Sequence, residues 1–267
     1  MTAVSLTASP APRATFAWTD TPELSVVIVT YGTGHVLERT VTDLASALEG
    51  DDLDAEVIVV DNPHPIRGTW AGDRIALATD GVRLVRASEN LGFGGGNDRG
   101  VSIARAPLVC LLNPDVFLRP GDLRRLVDAA RRHDGDIVAP AMLWPDGTVQ
   151  EFGFRLLADG STRAVEQPTD DGYDYCSAAC WLLPKALFDE LDGFDEAYHP
   201  AYYEDVDFVL RARQRGRTIH LVHDVQVVHA AHSELSSGWT EAVPDVSRQR
   251  SVFVERWADL LAGRPTE

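Results

Sequence analysis

The sequence predicts an α/β fold: a mostly parallel central sheet flanked by helices, with a more mixed second half. Three observations predict it. Short β-branched runs of strand length alternate with stretches of helical spacing. Those runs are apolar throughout rather than alternating, as strands covered on both faces are. The early runs also stop at Gly32, Asp61-Asn62-Pro63 and Asn113-Pro114-Asp115, and ligands of such sheets sit beyond the strand C-terminal ends.

Residues 1–22 read as a flexible Pro/Ala/Thr-rich tail without the basic segment and long apolar run of a signal peptide. Leu24–Tyr31 (LSVVIVTY) is the first strand. Residues 35–48 follow as a helix with Val36, Leu37, Val41, Leu44, Ala45 and Leu48 on one face. Glu56–Val60 is a strand, Ala71–Ala78 a helix and Val82–Val85 a short strand. A Gly-rich loop then leads into a helix over Asn97–Arg105 and the strand Leu108–Leu112. Beyond it the spacing predicts a helix at Asp122–Arg132, a strand at Ile137–Ala139, a hairpin turn at Asp146-Gly147 and a surface loop over 155–174. Cys180–Leu183 is apolar, and Pro184 suits the first turn of a short helix. A helix over Tyr203–Gln214 ends before Gly216. Strands at Ile219–Val222 and Val225–Val228 precede a closing helix over Val246–Ala262. No internal repeat or domain linker interrupts the chain, so residues 23–267 form one domain.

Of 267 residues, 45% are apolar, enough for a large core, and no stretch of about 18 uncharged apolar residues spans a membrane. The net charge of −17 argues against nucleic acid as a partner, which wants a basic face. It would also repel a diphosphate unless a divalent cation intervened. Cys110, Cys176 and Cys180 lack disulfide or zinc spacing and read as reduced thiols, consistent with a cytoplasmic protein.

Thr30, Tyr31, Asp61, Asn113 and Asp115 lie at the strand ends where a ligand belongs. Asp115 can offer oxygen to a hard cation such as Mg²⁺ or Mn²⁺, and the same residues also suit an ordinary Pro-containing turn. Gly92-Phe93-Gly94-Gly95-Gly96-Asn97 permits close backbone approach, but its spacing is not the dinucleotide fingerprint. Glu204, Asp205 and Asp207 stand where first-turn acids favour a helix dipole. Following Tyr202 and Tyr203, a carboxylate there could also serve as a general base in a partly apolar wall. His229 and His232 end the last apolar run; either a solvated surface position or a divalent-metal ligand fits.

In their order these segments resemble glycosyltransferase family 2, with the GT-A fold, and more narrowly its rhamnosyltransferase-like branch. The matching blocks are LSVVIVTYG, VIVVDN, ENLGFGGGNDRG, LLNPDV, LDGFDEAYHPAYYEDVDFVLRARQRG and VVHAAHSE, spanning about residues 24–234. The resemblance implies an inverting transfer of a sugar from a nucleotide diphosphate donor, with dTDP-rhamnose the first candidate. The acceptor would be a glycan, lipid-linked or small-molecule hydroxyl, in polysaccharide, cell-wall or glycoconjugate biosynthesis. Thr30 and Tyr31 would line the base pocket and Asp61 would bind base or ribose. Asn90, Gly92 and Asn97 would lie in a loop beside the nucleotide. Asn113 and Asp115 replace the DxD motif in NPD form, with Asp115 and His229 on a Mn²⁺ or Mg²⁺ ion. Asp205 would be the catalytic base and Glu204 would hold the helix start. Ser177–Cys180 with Gly193-Phe194-Asp195 would wall the acceptor side. Residues 23–115 become the nucleotide half, 116–235 the acceptor half and 236–267 a C-terminal helical segment. Work at the inner face of a membrane, by peripheral association, is compatible with this.

The chain departs from the family's Asp-Asn-x-Ser with Asp61-Asn62-Pro63-His64-Pro65. It also lacks a long basic tail after His232, which points away from a polyprenyl-linked acceptor. Two other functions share some of these features. A nucleotide-dependent oxidoreductase would use Asp61 but lacks the glycine fingerprint after the first strand. An inactive nucleotide-sugar-binding module would not need Asp115, Asp205 and His229.

Overall fold

The computed structural model describes residues 14–16, 19–65, 70–168, 172–231 and 246–266. In chain order these form β1 (Ala14–Thr15), β2 (Leu24–Tyr31), α1 (Gly34–Asp51), β3 (Ala55–Asn62), α2 (Trp70–Ala78), β4 (Thr79–Asp80), β5 (Val82–Arg86), α3 (Gly92–Ser102) and β6 (Leu108–Leu112). There follow β7 (Val116–Phe117), α4 (Asp122–Arg132), β8 (Ile137–Leu143), β9 (Val149–Glu151), β10 (Phe154–Leu156), β11 (Thr162–Ala164), β12 (Cys180–Pro184) and α5 (Lys185–Glu190). After a 3₁₀ turn at Glu196–Tyr198 come α6 (Glu204–Gln214), β13 (Ile219–His229), α7 (Ser247–Arg256) and α8 (Ala258–Leu261).

The main sheet runs β5-β3-β2-β6-β12-β8-β13-β7, with β9 paired to β8. Strands β5, β3, β2 and β6 are parallel, as are β8 and β13. Strand β12 is antiparallel to both of its neighbours and joins the two parallel groups. Residues of β2, β3 and β6 alternate between two cores: Val27, Ile58 and Leu111 on one face, Val26, Val57 and Cys110 on the other. Both faces are covered, which is why these strands read as unbroken apolar runs.

The structure differs from the sequence reading at five places. Helix α3 starts at Gly92, not Asn97, so the glycines belong to a helix rather than a loop. Their low helix propensity is overridden by packing. A Cβ on Gly96 would stand 2.6 Å from Val29 Cγ1, and one on Gly100 2.3 Å from Val27 Cγ1, so α3 lies directly on β2. The expected strand pair near residue 220 is the single strand β13, whose register slips between Val222 and Gln226. Part of the expected loop over 155–174 is the antiparallel hairpin β10–β11. The closing helix breaks at Trp257, and Ala14–Thr15 of the expected tail pairs with Thr79–Asp80. The Asp146-Gly147 turn forms as expected, with Gly147 at φ +85° and Asp146 Oδ1 accepting from the Thr148 amide.

Gly100→Ala is expected to cost about 1–3 kcal/mol by overpacking, although alanine is the better helix former. A lowered midpoint in urea, with unchanged circular dichroism, is the measurement.

Candidate active site

Strand β6 ends at Leu112, where Asn113 donates its amide to Ala179 O at 2.8 Å and a turn through Pro114 and Asp115 leads to β7. Thr40 on α1 fixes that turn, its hydroxyl donating to Pro114 O at 2.6 Å. Strand β7 pairs antiparallel with the end of β13, setting His229 opposite Val116, and the Ala230 amide donates to Asp115 O at 2.9 Å. The register therefore brings the two side chains together: His229 Nε2 lies 3.4 Å from Asp115 Oδ1.

Gln150 orients the histidine. Gln150 on β9 offers Oε1 to His229 Nδ1 at 2.8 Å while its Nε2 donates to His229 O at 3.4 Å. An amide oxygen can only accept, so Nδ1 carries the hydrogen and the lone pair of a neutral ring sits on Nε2. That lone pair faces Asp115 Oδ1, a buried oxygen with no hydrogen-bond partner. Two acceptors turned toward one another suit a shared cation, so the residues fit a divalent metal. Among the described residues no group of three or more His, Cys, Asp or Glu is arranged to hold a metal ion, so Asp115 and His229 would be two ligands of such a site.

Helix α6 supplies the carboxylates. Tyr202 and Tyr203 immediately before it both adopt the left-handed region, at φ +77° and +74°. Such non-glycine strain costs about 1–3 kcal/mol per residue and collects at functional sites. Tyr203 is tied down by its hydroxyl, which donates to Gly160 O at 3.0 Å, and by its ring against Phe253. The turn aims the first residues of α6 inward. Asp205 Oδ1 accepts from the Val206 amide at 2.7 Å, and Oδ2 from the Ala178 amide at 3.4 Å. Burial pushes Asp205 up to about 6, opposed by those amides. Burial and the neighbouring Asp205 charge hold Glu204 well above the usual carboxylate range.

Asn113, Asp115, Asp205 and His229 line one cavity of about 600 Å³ together with Gln150, Glu151, Tyr175, Ser177 and Glu204. Neither Gln150 nor Glu151 was visible as a site residue in the sequence; the only signal was a lone acid in a short strand with apolar flanks. Burial raises Glu151 to about 7, against the Ser177 amide that donates to its Oε1 at 3.1 Å.

The other expected site residues lie elsewhere. Thr30 and Asp61 are register partners at the ends of β2 and β3, both buried, and Tyr31 rests beside His64. Thr30 Oγ1 is 2.6 Å from Thr33 Oγ1, and Asp61 Oδ2 accepts from the Gly72 amide at 3.0 Å while its Oδ1 is buried without a partner. Burial raises Asp61 to about 6. Asn90, Gly92 and Asn97 do not share an open loop. Asn90 Oδ1 accepts from the Gly92 amide, and the buried Asn97 spends its Nδ2 on Phe93 O. The expected acceptor wall divides: Ser177 reaches the cavity, whereas Cys180 is buried and Phe194 packs in the core against Phe188, Trp181 and Phe208. Gly193, Phe194 and Asp195 line a separate cavity with Asp98. Glu204 does not simply hold a helix start: it is 5% exposed, and its Oε2 is buried without a partner. It lies at the seam between the Asp205 cavity and a smaller one of about 330 Å³. His232 falls outside the described residues.

The family model described as "Glycosyl transferase family 2" matches residues 25–192. The chain belongs to glycosyl transferase family 2. Asp205 and His229 lie beyond the matched stretch, so their association with Asp115 comes from the fold. Among curated relatives, the chain is 28% identical over 268 residues to an N-acetylglucosaminyl-diphospho-decaprenol L-rhamnosyltransferase of Mycobacterium tuberculosis, covering 88% of this chain and 84% of that one. It is 24% identical over 239 residues to rhamnosyltransferase WbbL of Escherichia coli, covering 81% and 88%. Of solved structures, GalNAc-T7 with UDP, GalNAc and Mn²⁺ superposes with a TM-score of 0.70 at 17% identity, over 90% of this chain and 50% of that one. Mannosyltransferase PcManGT from Pyrobaculum calidifontis, in complex with GDP-Man and Mn²⁺, gives 0.61 at 16% identity, over 94% and 66%. The family member described here therefore has the GT-A fold, as its sequence suggested.

Proposed function

We propose that this chain is an inverting, metal-dependent glycosyltransferase acting on a nucleotide diphosphate sugar. One observation carries the reading: Asp115, Asp205 and His229, far apart in sequence, line a single cavity. Asp205 takes the proton of the acceptor hydroxyl as its oxygen attacks the anomeric carbon, and the bond to the diphosphate breaks on the opposite face. One displacement inverts the centre, and no enzyme nucleophile is needed. A divalent cation, Mn²⁺ or Mg²⁺, held by Asp115 and His229 would offset charge growing on the departing diphosphate. Thr30, Tyr31 and Asp61 bind the nucleotide, with Asn113 beside the diphosphate. Asn90, Gly92 and Asn97 act as positioning residues that hold the start of α3.

The two relatives named as rhamnosyltransferases support dTDP-rhamnose as the first donor to test. Residues 23–115 serve the donor and 116–235 the acceptor, and within the C-terminal segment 236–267 Arg256 and Trp257 brace α6 through Asp207. Action in the cytoplasm at a membrane face is consistent with the described residues, none of whose helices is long and apolar enough to cross a membrane. A panel of nucleotide sugars with Mn²⁺ and Mg²⁺, read by thermal shift, tests the reading. A donor at 100 times its Kd adds about 2.7 kcal/mol, and Asp115→Ala is expected to abolish the metal-dependent part. Stabilisation that survives this substitution unchanged removes Asp115 from the metal site.

The base must be ionised to work. With Asp205 raised to about 6 by burial, acceptor-saturated turnover is expected to rise from pH 5 to pH 7, with half of its maximum near pH 6. A flat profile through that window excludes this carboxylate as the base.

A further inference from the structure

Glu151 sits beside an irregularity in β9. Leu143 pairs with Val149 and Met142 with Glu151, so Gln150 is one residue too many for the ladder between β8 and β9. A bulge of this kind re-aims the side chains next to it. Successive residues of a regular strand point to opposite faces, yet Gln150 and Glu151 both line the Asp205 cavity. Gln150 reaches His229, and Glu151 reaches Ser177.

Residues 175–179, which lead into β12, are held at every position. Tyr175 O accepts from the Phe154 amide at 2.7 Å, Cys176 O from Trp181 Nε1 at 3.2 Å and Ala179 O from the Asn113 amide at 2.8 Å. Between them two consecutive amides meet carboxyl groups. Ser177 N donates to Glu151 Oε1 at 3.1 Å, and Ala178 N donates to Asp205 Oδ2 at 3.4 Å. The second bond is long, so a small movement of the segment breaks it. Glu151 is 2% exposed. A buried amide that loses such an acceptor is costly, and the backbone shifts to find another. Burial raises Glu151 to about 7. Near pH 6, where Asp205 titrates, position 151 is therefore mostly uncharged and serves Ser177 as an acceptor rather than as a charge. Asp205 also interacts electrostatically with Tyr203 and Glu204, and with Tyr175 and Cys176 of the held segment, while His229 acts on Glu151.

We infer, resting on the assignment of Asp205 as the base, that Glu151 is a positioning residue for the transfer: its Oε1 fixes the Ser177 amide, which keeps the Ala178 amide on Asp205 Oδ2. Two variants separate this from a role in packing. Glu151→Gln keeps an acceptor oxygen of the same reach, Glu151→Met keeps the length but accepts nothing, and both remove the same charge. Carbon-13 NMR of labelled aspartate carboxyls in the full chain, in metal-free buffer, follows Asp205, whose signal is assigned by its loss in Asp205→Asn. In Glu151→Gln it is expected to titrate near pH 6, as in the unchanged protein. In Glu151→Met the midpoint is expected about half a pH unit higher, because loss of the Ala178 amide favours the protonated acid. A residue that only packs would lower the thermal midpoint and leave the two titrations equal. The unchanged protein supplies a check that needs no variant: the Ala178 amide proton is expected to titrate with Asp205 and the Ser177 amide proton with Glu151. Equal Asp205 midpoints in the two variants, a lower one in Glu151→Met, or amide protons that ignore these titrations overturn the inference. Turnover tests the transferase reading separately. Glu151→Met is expected to lower kcat about tenfold with the donor's half-saturation little changed, and Glu151→Gln to recover most of that loss. A rate profile that does not follow the NMR midpoint of Asp205 sinks the base assignment. Equal midpoints beside a rate profile that does follow Asp205 sink the Glu151 inference alone.

Discussion

Asp205→Asn is expected to lower turnover by about 10²–10⁴, the usual loss when a positioned base is removed. The replacement keeps the shape of the side chain and can accept from one of the Val206 and Ala178 amides through its single oxygen, but an amide cannot take up the acceptor's proton. The loss should fall on kcat, with the donor's half-saturation little changed, because proton transfer matters in the transition state rather than in the bound ground state. Folding should survive: burial already disfavours the charge at this position, so a neutral side chain leaves the thermal midpoint level or raises it. The low-pH limb of the rate profile should vanish in the variant. Full turnover in a folded Asp205→Asn protein would remove the base from the mechanism.

Asp207→Ala is expected to unfold the protein more easily by about 3–5 kcal/mol, the range for breaking a buried charge network from one side. Asp207 is fully buried and accepts from Arg211 Nε at 2.7 Å, Arg256 Nη1 at 2.9 Å, Trp257 Nε1 at 3.0 Å and Tyr198 OH at 3.2 Å. Its loss strands four donors. Water can reach part of the two guanidiniums, whose side chains are 20% and 34% exposed, so the low end of the range applies. The urea midpoint measures it. Activity should fall as well, because these bonds hold α7 and α8 against the helix that carries Asp205. A change below about 0.5 kcal/mol, the usual scale of a surface substitution, would show that the network contributes little.

Asp205 and Asp207 show where sequence reading stops. Both stand in the first turn of α6, and the helix dipole accounts for either one. Two residues along a helix turn a side chain by about 200°, so one faces the cavity and the other the core. Which is which depends on the elements packed against α6, chiefly Ala178 and the C-terminal helices. The Asp115–His229 pair is similar. Asp115 and His229 each end a strand recognisable by its apolar run, but only the β7–β13 register sets them side by side. Gln150, which orients the histidine, carried no local mark at all.

The glycines of α3 mark the same boundary from the other direction. Their run reads locally as a loop, since glycine is a poor helix former. The need for α3 to approach Val27 and Val29 makes glycine the residue that fits.

The amino-acid order alone determined the strands β2, β3 and β6, the helices α1 and α4, the parallel half of the sheet and the family resemblance. Each of these follows from apolar periodicity or local turn chemistry, which neighbours in sequence express by themselves. Tertiary structure decided the extent of α3, the single bulged β13, the division of the expected acceptor wall and the meeting of Asp115, Asp205 and His229. Those depend on contacts between residues distant in the chain, where burial and strand register outweigh local preference.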